Sequence, residues 1–89
     1  MEVDRVEVRL LFFAKARELM ECEEKLVYLP KTTTYKALKH LIFHEMCTEL
    51  ASIEYACALA VDLKYVRDGD EIHLLHSSQI AVMPPLCAG

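Results

Sequence analysis

Tryptophan is absent from this 89-residue chain, and glycine and proline are scarce, at two and three residues. No repeat, Pro/Gly-rich linker or low-complexity stretch interrupts it, so a single domain is expected. At this length only about 60% of the unfolded surface is buried on folding, which makes for a small core. Positive charge is also in deficit. Ten lysines and arginines stand against fourteen acidic residues, a net charge of -4, and the basic residues are scattered. That distribution leaves no electrostatic footprint for nucleic acid and no polybasic patch for a membrane. Long apolar runs are missing too: Leu10 to Phe13 is far short of a membrane span, and Met1 to Glu7 is charged, unlike a signal peptide. A cytosolic protein is expected. Cys22, Cys47, Cys57 and Cys87 lack the close pairing of zinc ribbons and redox motifs, and the cytosol keeps thiols reduced, so neither a metal site nor a disulfide framework is expected. No nucleophile and base stand at a recognisable spacing, which argues against a free-standing enzyme.

The chain is nonetheless 54% hydrophobic, high for so short a polypeptide, and this points to apolar surface that faces a partner as well as the core. Val6 to Phe13 begins in strict alternation and ends as a continuous apolar run, the pattern of a central strand. Ala14 to Met20 reads as a two-turn helix, and Lys25 to Leu29 as a second strand, stopped by Pro30 and paired with the first like a hairpin. Thr32, Thr33 and Thr34 offer N-cap hydroxyls to the main helix, where Tyr35, Leu38, Leu41, Ile42 and Met46 recur at helical spacing. Lys36, Lys39, His40 and Phe43 fall on its opposite side, and Glu45 lands inside the apolar stripe. Leu50 to Tyr55 adds a helical turn. Cys57 to Val61 reads as a strand, Asp62 to Lys64 as a turn, and Tyr65-Val66 as extended chain. Arg67-Asp68-Gly69-Asp70 is a strong turn signal. Ile72 to Leu75 is extended, Ser77-Ser78 turns again, and Ile80 to Met83 is the last strand. This order predicts an α+β roll: one sheet with the main helix packed on one face.

The histidines carry little. His40 and His44 lie four apart on the helix but have no third ligand, so they read as a solvated face. His73 and His76 are three apart on extended chain and point to opposite faces. Glu21, Glu23 and Glu24 read as a solvated acidic loop. Phe43, Leu74 and Leu75 are either partner contacts or ordinary surface apolar residues.

The C-terminal segment is different. Two of the three prolines are Pro84 and Pro85, directly after the last strand, and one of the two glycines is Gly89 at the end of the chain. A proline pair holds the backbone near polyproline geometry and supplies no N–H donors, so residues 84–89 are expected to project as a tail from a domain spanning residues 1–83. Past the prolines only Leu86 and Cys87 carry side chains of any size. The final atoms therefore suit a channel too narrow for ordinary residues.

Leu11-Phe12-Phe13-Ala14-Lys15, Leu59-Ala60-Val61-Asp62 through Tyr65-Val66, and Ile80-Ala81-Val82-Met83-Pro84-Pro85 together resemble the small, sulfur-carrying subunits of molybdopterin synthase. These have the ubiquitin-like β-grasp fold, and the resemblance spans nearly the whole chain. Carriers for thiamine synthesis and for transfer RNA thiolation share that fold, and a ubiquitin-like module whose terminus is never activated is a further alternative. Two departures stand out. Ala88 precedes Gly89 where the family ends in Gly-Gly, and Ser77-Ser78-Gln79 replaces the family's Pro-Gly-Asp-Glu turn.

The resemblance implies a particular chemistry. A ubiquitin-activating-type enzyme would use ATP to adenylate Gly89, and sulfur would then replace the adenylate to give a thiocarboxylate. The larger subunit would enclose Pro84, Pro85, Leu86, Cys87, Ala88 and Gly89 beside the pterin precursor, precursor Z, which receives two sulfurs in turn to form the dithiolene of molybdopterin for molybdenum cofactor biosynthesis. The small subunit would supply no catalytic side chain and bind no cofactor tightly, and would work in a hetero-oligomer, expected to be a heterotetramer. Pro84 and Pro85 would preorganise the tail, Leu86 would anchor it in an apolar pocket, and Cys87 would be a tolerated small residue.

Overall fold

The computed structural model describes residues 4–84. Its elements are β1 (Arg5–Phe12), α1 (Ala14–Met20), β2 (Glu24–Pro30), β3 (Thr32–Thr34), α2 (Tyr35–His40) continuing as a π-helical segment over Leu41–Met46, a 3₁₀ segment over Thr48–Ala56, β4 (Ala58–Val61), β5 (Lys64–Val66), β6 (Glu71–His73) and β7 (Gln79–Met83). Five strands form one mixed sheet in the order β2-β1-β7-β4-β5. Alternation along β1 sends Val8, Leu10 and Phe12 to one face, where they meet Leu29, Leu59, Ile80 and Val82, all essentially inaccessible to solvent. The helical layer closes over that face with Ala16, Leu38, Ile42, Phe43 and Leu50. The α+β roll expected from the sequence is the fold observed, with β1 inside the sheet and β1 and β2 antiparallel from Arg5↔Pro30 to Leu11↔Glu24.

Three local features differ from the sequence reading. The three threonines form a strand as well as a cap. β3 pairs with β6 through Thr33↔Ile72 in a small sheet of its own, while the Thr34 hydroxyl accepts a hydrogen bond from the Ala37 N–H at 3.2 Å. Of the acidic residues read as a loop, only Glu21 and Glu23 lie between elements. Glu21 closes α1 in the left-handed region at φ 58°, and Glu24 already belongs to β2.

The third difference is larger. Phe43 is fully buried in the core, and Glu45 is exposed. A uniform α-helical period puts the phenylalanine outside and the glutamate inside, but the chain widens into a π-helical segment after His40. The Cys47 N–H donates to the Ile42 carbonyl five residues back, at 2.8 Å. The extra residue per turn rotates Phe43 under the helix and carries Glu45 out to His40 Nε2, 3.3 Å away. Lys25 Nζ then donates to the Met46 carbonyl at 3.3 Å, satisfying a backbone group that the end of the segment leaves open. Leu74 likewise is buried, whereas Leu75 is exposed.

Cys47 and Cys57 belong to this core. Burial pushes the Cys47 thiol up to about 11, against the opposing attraction of Lys25 for the thiolate. Burial raises Cys57 as well. Both thiols are therefore held protonated and inert by the folded state.

Two outcomes are expected. Phe43→Ala should lower unfolding free energy in urea by about 3–5 kcal/mol, the cost of emptying a buried aromatic site; a change within about 0.5 kcal/mol would place the ring on the surface. A thiol reagent at pH 8 should leave Cys47 and Cys57 unlabelled in the native protein and label both in denaturant, as read by peptide mapping. The same shift sets a sign for stability. The unfolded Cys47 thiol ionises near 9.0 and the folded one near 11, so its contribution is complete below the first value and is lost as pH rises through the second.

Candidate functional site

The last strand is held from both sides. β7 runs parallel to β1, from Arg9↔Gln79 to Phe12↔Val82, and antiparallel to β4, from Val61↔Ile80 to Ala58↔Met83. The turn that feeds it is pinned before the strand begins. The Ser77 N–H donates to the Glu7 carbonyl at 2.8 Å, and the Arg9 N–H donates to the Ser78 carbonyl at 2.9 Å. The Ser78 hydroxyl, on a buried residue, accepts from the Leu75 N–H at 2.9 Å. Ser77 adopts φ 71°, a left-handed conformation that allows the tight reversal. On the other flank Asp62 brackets Gln79: its N–H donates to the Gln79 carbonyl at 2.8 Å and its Oδ1 accepts from the Gln79 N–H at 2.9 Å. These bonds fix the register of β7 and with it the position of half-buried Pro84, the last described residue. Pro85, Leu86, Cys87, Ala88 and Gly89, the remaining tail residues singled out from the sequence, lie outside the described residues.

Alternation along β7 buries Ile80 and Val82 and turns Gln79, Ala81 and Met83 to the opposite face of the sheet. Helices leave that face uncovered. Ala81 lies between Leu11 of β1 and Ala60 of β4, and Ala60 is opposite Tyr65 of β5. The two alanines form the floor of a concavity of about 230 Å³, and Leu11, Phe13, Leu63, Tyr65, Gln79 and Met83 complete it. Tyr65 is 67% exposed and Phe13 41%. A sheet face turned to water is ordinarily polar, so this apolar one is a candidate docking surface. The sequence carried a signal for it, since Leu11, Ala81 and Met83 all break the rule of polar residues at outward positions.

Other candidates resolve differently. His40 and His44 stack with ring centroids 5.3 Å apart, and each faces a glutamate: His40 Nε2 is 3.3 Å from Glu45 and His44 Nε2 2.6 Å from Glu54 Oε1. The pair thus helps tie the π-helical and 3₁₀ segments together. Among the described residues, no group of three or more histidine, cysteine or carboxylate side chains is arranged to hold a metal ion, and no helix is long and apolar enough to cross a membrane. The buried thiols of Cys47 and Cys57 are far from usable as sulfur donors in the folded protein, because neither is accessible nor ionised near neutral pH.

The fold has known counterparts. The chain is 39% identical over 84 residues to the molybdopterin synthase sulfur carrier subunit of Caenorhabditis briggsae, an alignment covering 94% of this chain and 99% of that protein. It is 34% identical to the Caenorhabditis elegans protein of the same name, with the same coverage. Among solved structures, a putative molybdopterin converting factor subunit 1 from Pyrococcus furiosus superposes with a TM-score of 0.70 at 21% identity, over 91% of this chain and 99% of that one. Subunit 1 in a complex of subunits 1 and 2 of the molybdopterin-converting factor from Helicobacter pylori superposes at 0.64 and 19% identity, over 94% of this chain and all of that one. The ThiS family profile matches residues 10–89, running from the middle of β1 through the central strand to the terminal glycine. With a match of that extent and relatives at a third identity or more along nearly its full length, the chain belongs to the ThiS family, and its mixed sheet with helices on one side is the β-grasp fold of that family.

Proposed function

We propose that this protein is the sulfur carrier subunit of molybdopterin synthase and that Gly89 is its reactive residue. The observation that carries the reading is the placement of β7. The strand is clamped at the centre of the sheet, its outward side chains belong to an uncovered apolar face, and it delivers the chain to Pro84 at one end of that face. A partner seated on the face would hold the following five residues within its own reach. The names of the curated relatives favour the molybdopterin pathway over the related thiamine and transfer RNA pathways.

The chemistry follows from the terminal group. An α-carboxylate, with a pKa of about 3.3–3.7, is an anion at neutral pH and a poor electrophile. Adenylation bonds its oxygen to the α-phosphate of ATP with loss of pyrophosphate, and a sulfur nucleophile then displaces AMP to leave a thiocarboxylate. That sulfur is ionised at neutral pH and attacks without a general base, for the reason that thiolates outperform thiols. All of the acid, base and phosphate-binding groups would come from the activating enzyme and the large subunit. Two prolines at the root of the tail lessen the conformational freedom lost on insertion, a saving of about 1 kcal/mol per residue already fixed. Ala88 places one methyl group where the family has glycine, so activation should be slower than for an Ala88→Gly variant.

Incubation with a ubiquitin-activating-type enzyme, ATP and a sulfur donor should raise the intact mass by the difference between sulfur and oxygen. An unchanged mass would count against the reading. Removing Gly89 should abolish this gain and sulfur transfer while leaving folding and large-subunit binding intact. A module whose terminus is never activated would instead keep its full function after the deletion.

A further inference from the structure

The hairpin between β4 and β5 closes through two residues, Asp62 and Leu63, with Val61 paired to Lys64. Both have positive φ, 48° and 73°. That is the backbone twist a two-residue hairpin demands, and it selects Asn-Gly or Asp-Gly because a Cβ is crowded in the left-handed region. Asp62 is compensated by its two hydrogen bonds with Gln79. Leu63 is not compensated. Its side chain is 94% exposed, the most exposed of the large apolar residues described, so it combines a disfavoured backbone conformation with an aliphatic group in water. Glycine would relieve both. The position of this residue is also specific: Leu63 lines the apolar concavity together with Tyr65 and Met83, at the rim nearest the hairpin tip.

We infer that Leu63 is an anchor for the large subunit of molybdopterin synthase, held out on a strained turn to enter an apolar pocket of that partner. The inference rests on the reading of the open sheet face as the docking surface and extends that surface beyond the sheet to the hairpin tip. The Asp62–Gln79 bonds give the anchor a fixed position relative to β7, so that seating Leu63 also sets where the tail enters. In the complex the side chain leaves water, which returns what the free protein forgoes.

Leu63→Gly separates this role from a structural one. The variant should unfold at a higher temperature than the parent, because the turn loses its strain, and should bind the purified large subunit about tenfold or more weakly by calorimetry. Leu63→Met should keep the affinity. Tyr65→Ala provides the control on the face itself. If Tyr65→Ala weakens binding and Leu63→Gly does not, the anchor is refuted and the docking face stands. If neither weakens binding, the docking reading fails with it. A Leu63→Gly variant that is no more stable than the parent would also overturn the inference, since the leucine would then be serving the free fold.

Discussion

The hydrogen bonding of β7 on both edges is the constraint on which the rest of this molecule depends. A strand at the end of a chain is ordinarily the easiest to fray. Here it is inserted between β1, in parallel, and β4, antiparallel, so the first and last segments of the domain meet at its centre. Parallel pairing of this kind requires a long excursion between the partners, and the two helices and five strands between β1 and β7 are that excursion. The hydrophobic layer under β7, with Ile80 and Val82 against Phe12, Leu59 and Phe43, forms only once the excursion is complete. Stability of the domain and placement of β7 are therefore one property.

The two faces of the sheet divide the remaining work. One is covered by the helical layer and supplies the core. Among the described residues the other is uncovered and, around β7, largely apolar, with its floor kept low by Ala60 and Ala81. Small residues at those positions weaken the sheet slightly in isolation, yet they create the concavity in which larger side chains of a partner can lie. The same face also carries the exposed Arg9 and Glu24 side chains, 3.9 Å apart, and on β2 the exposed Leu26 and Tyr28.

Much of this could be read in the sequence because local chemistry and global fold agree. The alternation and apolar run of Val6 to Phe13 gave an interior strand, beside the central one. The Asp68-Gly69 turn is where φ reaches 98° at Gly69, and the Thr34 hydroxyl caps the helix as its position before Tyr35 implied. Phe43 and Glu45 were misplaced because a π-helical segment has no composition of its own and changes the period without announcing it. The apolar concavity was only partly visible, since Leu11, Ala60, Tyr65 and Ala81 come from four strands and their adjacency depends on a strand order that the chain does not spell out. Leu63 was hidden for a related reason. Asp62 to Lys64 reads plainly as a turn, but a leucine in the left-handed region runs against the preference that would have identified the turn type.

The arrangement around β7 also has a mechanical side. A pull applied to the chain at Pro84 would run along the axis of that strand. Because β7 is bonded laterally to both neighbours, such a load falls on all of those bonds together, in shear, rather than on one after another as when a hairpin is unzipped. The paired edges of β7 thus make the domain a grip that opposes traction along its last strand.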